Sequence, residues 1–176
     1  NCYSYNKCTH AQNKKKSFID AIEIDDDAYE QCVENFEQSQ WSDRLFCYHA
    51  SLLEFTDEID EKYDLIVSNP PFYPADYKSE NLQRDLARFS DALPFDHLLQ
   101  SVSKLLSKHG MFSVIIPYKE EEIFCDLASK VNLFPHNILH VKGKPSSEIK
   151  RSLMIFSFSK RDLIIENLII ETSRHE

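Results

Sequence analysis

The segment YDLIVSNPPFY, residues 63–73, runs a set of strand-forming residues into two consecutive prolines. Proline restricts φ and carries no backbone N–H, so Pro70 and Pro71 cannot extend a central strand; they fix a stiff, extended exit from it. Residues 63–68 therefore read as a buried strand, and Asn69-Pro70-Pro71-Phe72 as a rigid bracket at its end. What the bracket holds is the functional question.

Working outward, the apolar run Phe18, Ile19, Ala21, Ile22 and Ile24, closed by acids, predicts a strand over 17–25. Ala28, Cys32, Val33 and Phe36 recur at helical spacing behind Asp25, Asp26 and Asp27, which suit a helix N-terminus through capping and the dipole. A second strand is predicted over 45–49. The polar stretch 77–88 reads as a surface loop leading into a helix. Residues 94–107 carry Leu98, Leu99, Val102, Leu105 and Leu106 at helical spacing, with Gly110 expected to end that helix. A strand over 111–116 is stopped by Pro117, and a helix over 120–130 places Ile123, Phe124, Leu127 and Ala128 on one face. Strands over 137–141, 152–159 and 163–171 finish the chain, the first two flanking a basic segment with Gly143 and Pro145. Alternating strand and helix predicts an α/β fold of Rossmann-like type, a mostly parallel sheet with helices on both faces, closed by an antiparallel pair at the C-terminal end.

The 176 residues fit one domain, and 42% hydrophobic with 28% charged is ordinary globular composition. No apolar run approaches the ~18 residues that span a bilayer, and the first residues lack the apolar core of a secretory signal, so a cytoplasmic protein with no membrane partner is expected. Five scattered cysteines with no Cys-x-x-Cys pair suggest reduced thiols and no metal site. Net charge is -9, but residues 18–64 hold 15 Asp or Glu against Arg44 and Lys62, whereas residues 130–161 hold seven Lys or Arg against Glu148. The basic part suits a phosphate backbone, and two solvated faces of opposite sign stand as the alternative.

The bracket lies at the C-terminal end of its strand, where open α/β sheets bind ligands. The Asn69 side-chain oxygen and the Pro70 carbonyl both suit accepting from an exocyclic amino group, and Phe72 suits stacking on a ring. The alternative is a proline-stiffened turn with Phe72 in the core. No His or Cys arrangement for catalysis stands out; His49, His97, His109, His136 and His140 read as surface or structural residues.

Asn69-Pro70-Pro71-Phe72 after such a strand resembles the catalytic motif of the S-adenosylmethionine-dependent amino methyltransferases, which act on adenine N6, guanine N2 or a glutamine amide. The stretch IDAIEIDDDAYEQCVENFEQSQWSDRL and the late strand RSLMIFSF narrow the resemblance to the bacterial valine-tRNA adenine N6-methyltransferases, over about residues 18–171. The resemblance implies S-adenosylmethionine as cofactor, with Glu23 binding its ribose hydroxyls and Ile24 packing on its adenine. It implies that Asn69, Pro70, Pro71 and Phe72 hold the target amine, with Asn69 also at the cofactor. Tyr73 would then be a second stacking residue. A tRNA would be placed by Lys142, Lys144, Lys150 and Arg151, and the loop with Lys78, Arg84 and Arg88 would close over the base. Two departures are visible. Ser51 stands where the family carries an acid touching the cofactor adenine. The family's glycine-rich loop after its first strand is absent: the chain has two glycines, Gly110 and Gly143, where usage of ~7% predicts about a dozen. Residues 1–17 are nearly all polar and show no buried strand. Omitted residues near Lys7-Cys8 are therefore expected, along with the family's N-terminal segment and final helix. Amino methyltransferases of DNA, rRNA or a protein glutamine remain open, as does a non-catalytic RNA-binding module. Oligomeric state is open too.

Overall fold

The computed structural model describes residues 3–8, 17–70 and 93–171. Its core is one eight-stranded sheet: β1 Tyr3–Cys8, β2 Ser17–Glu23, β3 Leu45–His49, β4 Tyr63–Ser68, β5 Leu106–Pro117, β6 Phe134–Lys142, β7 Ile149–Ser157 and β8 Ile164–Ile169. They lie in the order β3-β2-β1-β4-β5-β7-β6-β8. Among the described residues four α-helices accompany them: α1 Asp26–Glu37, α2 Leu52–Glu58, α3 Phe95–Leu105 and α4 Glu121–Lys130. Tracing the pairings shows that β2, β3, β4, β5, β6 and β8 share one direction, while β1 and β7 run against them. The mostly parallel sheet with an antiparallel β6–β7 pair follows the sequence reading.

The expectation of no strand before Phe18 is corrected. Tyr3–Cys8 fills the slot between β2 and β4, antiparallel to both, with Lys7 opposite Phe18 and Cys8 opposite Ser17. β1 includes both Lys7 and Cys8. Its direction has a simple cause. Only eight residues separate Cys8 from Ser17, too few for the crossover of about a dozen or more that a parallel neighbour needs, whereas an antiparallel neighbour needs only a hairpin. A central slot also demands backbone complementarity on both sides, which a polar segment supplies as well as an apolar one.

The core lies between the sheet and α2, α3 and α4. Ile66 and Phe112, opposite each other in β4 and β5, are fully buried there with Leu98, Leu99 and Val102 of α3. Phe124 of α4 fits between Phe95, at 4.9 Å edge to face, and Phe156 at 5.7 Å, tying β7 to both helices. Ile123 of that helix is more than half exposed, so the apolar face predicted for it is narrower: Phe124 and Ala128 are its buried residues. α1 packs on β2 and β3. Crossovers between parallel strands are right-handed, and β2 to β3 steps across the sheet opposite to β3 to β4, so α1 and α2 take opposite faces. Asp25 caps α1 by accepting from Ala28 N at 2.9 Å.

Gly110 does not end a helix. α3 stops at Leu105 and the chain turns directly into β5 at Leu106, leaving Gly110 inside the strand without positive φ. A Cβ there would stand 2.8 Å from both the Tyr63 carbonyl oxygen and Leu106 Cδ1. The glycine is required by the close approach of β4 and β5.

Candidate functional site

Because six strands share a direction, their C-terminal residues Glu23, His49, Ser68, Pro117, Lys142 and Ile169 line one edge of the sheet. Asn69 and Pro70 leave β4 at this edge, Asn69 exposed and Pro70 buried. Glu23 lies across one intervening strand from them, a lateral separation of about 10 Å at ~4.8 Å per strand. The sequence-predicted pair of cofactor acid and target-amine acceptor is thus brought to one edge.

Glu23 is 4% exposed. Its Oε1 accepts from the backbone N–H of Ile24 at 2.9 Å and of Asp25 at 3.1 Å, which fixes the carboxylate against the turn after β2. Ile24 is 64% exposed at that turn, an apolar surface beside a buried acid. Its carbonyl accepts from His49 Nε2 at 3.1 Å, and the same nitrogen lies 3.2 Å from Asp26 Oδ1. Tyr29 stacks on the His49 ring at 4.8 Å. His49, set aside as structural in the sequence, is the clamp that shapes the Glu23–Ile24 turn; only the pairing of β3 with β2 brings it there, His49 opposite Glu23.

Ser51 caps α2. Its hydroxyl donates to Glu54 Oε2 at 2.7 Å and accepts from Glu54 N at 3.3 Å, while Ser51 N donates to the same carboxylate at 2.9 Å. These bonds hold the Glu54 carboxyl below its usual range. The side chain at the position of the family's acid is committed to the capping box.

Ser68, which the sequence reading passed over, is 2% exposed with a hydroxyl that finds no hydrogen-bond partner among the described residues. An orphaned buried hydroxyl costs about 1–3 kcal/mol, and this one sits immediately before Asn69.

The basic segment reaches the same edge. Lys142 ends β6 and Ile149 begins β7 opposite it, with Arg151 paired to Pro117 of β5. Lys142, Lys144 and Lys150 form no ion pair among the described residues. Pro71, Phe72, Tyr73, Lys78, Arg84 and Arg88 lie outside the described residues. Among the described residues the glycine-rich turn has no counterpart at this edge, where β1 presents its N-terminal end, Ser4 opposite Val67.

Among the described residues no helix is long and apolar enough to cross a membrane, and Cys125 is a free thiol.

Residues 7–94 match the family model described as the methyltransferase small domain. The chain is 57% identical over 165 residues to the tRNA1(Val) (adenine(37)-N6)-methyltransferase of Flavobacterium psychrophilum, a match covering 94% of this chain and 70% of that protein. It is 55% identical over 168 residues to the protein of the same name from Flavobacterium johnsoniae, covering 95% and 69%. In structure it is similar to a predicted O-methyltransferase from Agrobacterium tumefaciens, with a TM-score of 0.62 at 16% identity over 86% of this chain and 68% of that one. That likeness is one of fold.

Proposed function

The chain belongs to the tRNA1(Val) (adenine(37)-N6)-methyltransferase family, and on that premise we propose that it transfers a methyl group from S-adenosylmethionine to the exocyclic N6 of an adenine in tRNA. The observation that carries this reading is the convergence of Glu23 and Asn69-Pro70 on one sheet edge.

The described residues fit the adenosine half of the cofactor. A buried carboxylate suits two ribose hydroxyls, the exposed Ile24 beside it suits a purine face, and the orphaned Ser68 hydroxyl is a polar atom left for a ligand. For the methionine half they offer no glycine-lined turn. When bound, S-adenosylmethionine supplies an electrophilic methyl group on a sulfonium. Asn69 Oδ1 and the Pro70 carbonyl accept from the two amine hydrogens of the adenine and so aim the nitrogen lone pair; the surplus proton leaves to solvent after transfer. Acceptors held at a strand end need no reorganisation as positive charge develops on the nitrogen, which is where such groups act most strongly. Pro71 stiffens the turn, and Phe72 and Tyr73 stack on the base. Lys142, Lys144, Lys150 and Arg151 meet the RNA backbone, with Lys78, Arg84 and Arg88 approaching from the loop after the motif.

The test is methyl transfer from labelled S-adenosylmethionine into total tRNA by the full-length protein, with digestion to nucleosides. Label in N6-methyladenosine is expected. Label in another nucleoside, in DNA or in protein would replace the substrate. The missing glycine turn favours one second reading, an RNA-binding module without catalysis; calorimetry detecting no cofactor binding would favour it over the first.

A further inference from the structure

We propose that Tyr118 is a stacking platform for a nucleobase of the bound RNA next to the target adenine, and that Glu121, His140 and Ser152 hold its ring in place. This rests on the reading of the chain as an RNA methyltransferase. Tyr118 follows Pro117 at the same edge as Asn69 and is 40% exposed. Ser68 lies opposite Val114, so Tyr118 emerges three residues beyond the level of Asn69, about 10 Å along the strand direction at ~3.3 Å per residue and one strand to the side. That offset suits a neighbouring nucleotide, not the reacting one.

An exposed tyrosine at a strand end is commonplace; the network beneath this one is not. His140 meets the ring edge to face, at 5.0 Å and 82°. Its Nε2 lies 2.9 Å from Glu121 Oε2, which also accepts from the Ser152 hydroxyl. The His140 and Glu121 side chains are only 12% and 19% exposed. His140, Ser152 and Ile116 are level across β6, β7 and β5, so bonds from β7 and the start of α4 hold His140, which in turn packs against a Tyr118 ring that stays 40% exposed. Lys119, exposed beside it, and Lys142, two residues beyond His140, form no ion pair among the described residues. A rigid aromatic flanked by unpaired lysines is the arrangement that takes a base on the ring and the phosphates on the amines.

The test uses the full-length protein and an anticodon stem-loop of the valine tRNA in which 2-aminopurine replaces, one at a time, the nucleotides on either side of the target. Stacking quenches the probe. Wild type and Tyr118→Phe should quench one position. Tyr118→Leu, which keeps apolar bulk without the ring, should leave the probe bright and weaken RNA binding about five- to a hundredfold, with an unchanged salt slope because no charge is lost. His140→Ala should reduce the quenching with little change in melting temperature. Cofactor affinity, measured by calorimetry, should be unaltered in all of them. Equal quenching and affinity for wild type and Tyr118→Leu would overturn the proposal alone. Failure of the wild type to bind the stem-loop would overturn it together with the reading on which it rests.

Discussion

Replacing Gly110 by alanine should destabilise the sheet while leaving the site residues untouched. The added Cβ would lie 2.8 Å from the Tyr63 carbonyl oxygen, 2.8 Å from Leu106 Cδ1 and 2.9 Å from Leu106 Cγ, about 0.6 Å inside ordinary contact. Neither neighbour yields easily. The carbonyl belongs to β4 where Tyr63 lies opposite Leu106, next to the register shift before Leu65, and Leu106 is 4% exposed in the core. Overpacking of this kind costs ~1–3 kcal/mol. For a domain of this size each kcal/mol lowers Tm by about 2–4 °C, so a loss of ~2 kcal/mol gives a drop of about 4–8 °C, read by circular dichroism at fixed pH. Leu106→Ala removes two of the three crowding atoms, so in that background the same glycine substitution should cost less, with a coupling of ~1 kcal/mol. A wild-type Tm for Gly110→Ala, or strictly additive losses in the double variant, would refute the claim that the glycine is there for space.

Three further outcomes are expected. Asn69→Ala should cut turnover about 100- to 1000-fold and leave Tm near wild type, since the side chain is exposed at the strand end; near-normal single-turnover rates would remove Asn69 from the site. Lys150→Ala with Arg151→Ala should weaken RNA binding and flatten the log-log salt dependence by about 1.4–1.8, the release of two phosphate contacts, whereas an unchanged slope would place the RNA elsewhere. Burial, with Glu121 and Asp126 adding to it, pushes the Cys125 thiol from 9.0 up to about 11. Its thiolate population at pH 8 is then about a hundredfold below that of an ordinary cysteine, and mass mapping after brief alkylation should find Cys125 among the least modified.

The legible parts of the fold were those where apolar periodicity and proline agree. Tyr63–Ser68 and Leu45–His49 have the bounds their residues suggest, and the least exposed positions of α1 include Ala28, Cys32, Val33 and Phe36, as their spacing implies. β1 was hidden because its six residues, YSYNKC, carry no aliphatic side chain, and strand pairing through backbone groups leaves no hydropathy signal. Gly110 misled because a glycine after an apolar helix usually marks its end; what it serves is a backbone 63 to 110 contact invisible along the chain. At the site, Asn69 was readable as chemistry next to a strand end, whereas the role proposed for Glu23 came from the family resemblance alone. His49 and the role proposed for Tyr118 were not readable, since each depends on a contact far away along the chain: His49 with Ile24, Tyr118 with His140. Ser51 fitted a ligand role by position, yet Ser-x-x-Glu is also a capping box, and the local hydrogen bonds took the hydroxyl.

The central claim, adenine N6 methylation of tRNA through Asn69, is tested most directly by mass spectrometry of valine tRNA. The tRNA is taken from cells that carry the gene, from cells that lack it, and from cells complemented with wild type or Asn69→Ala. N6-methyladenosine should be present with the gene, absent without it, restored by wild type and not by the variant. An undiminished modification in cells lacking the gene, or full restoration by Asn69→Ala, would contradict it.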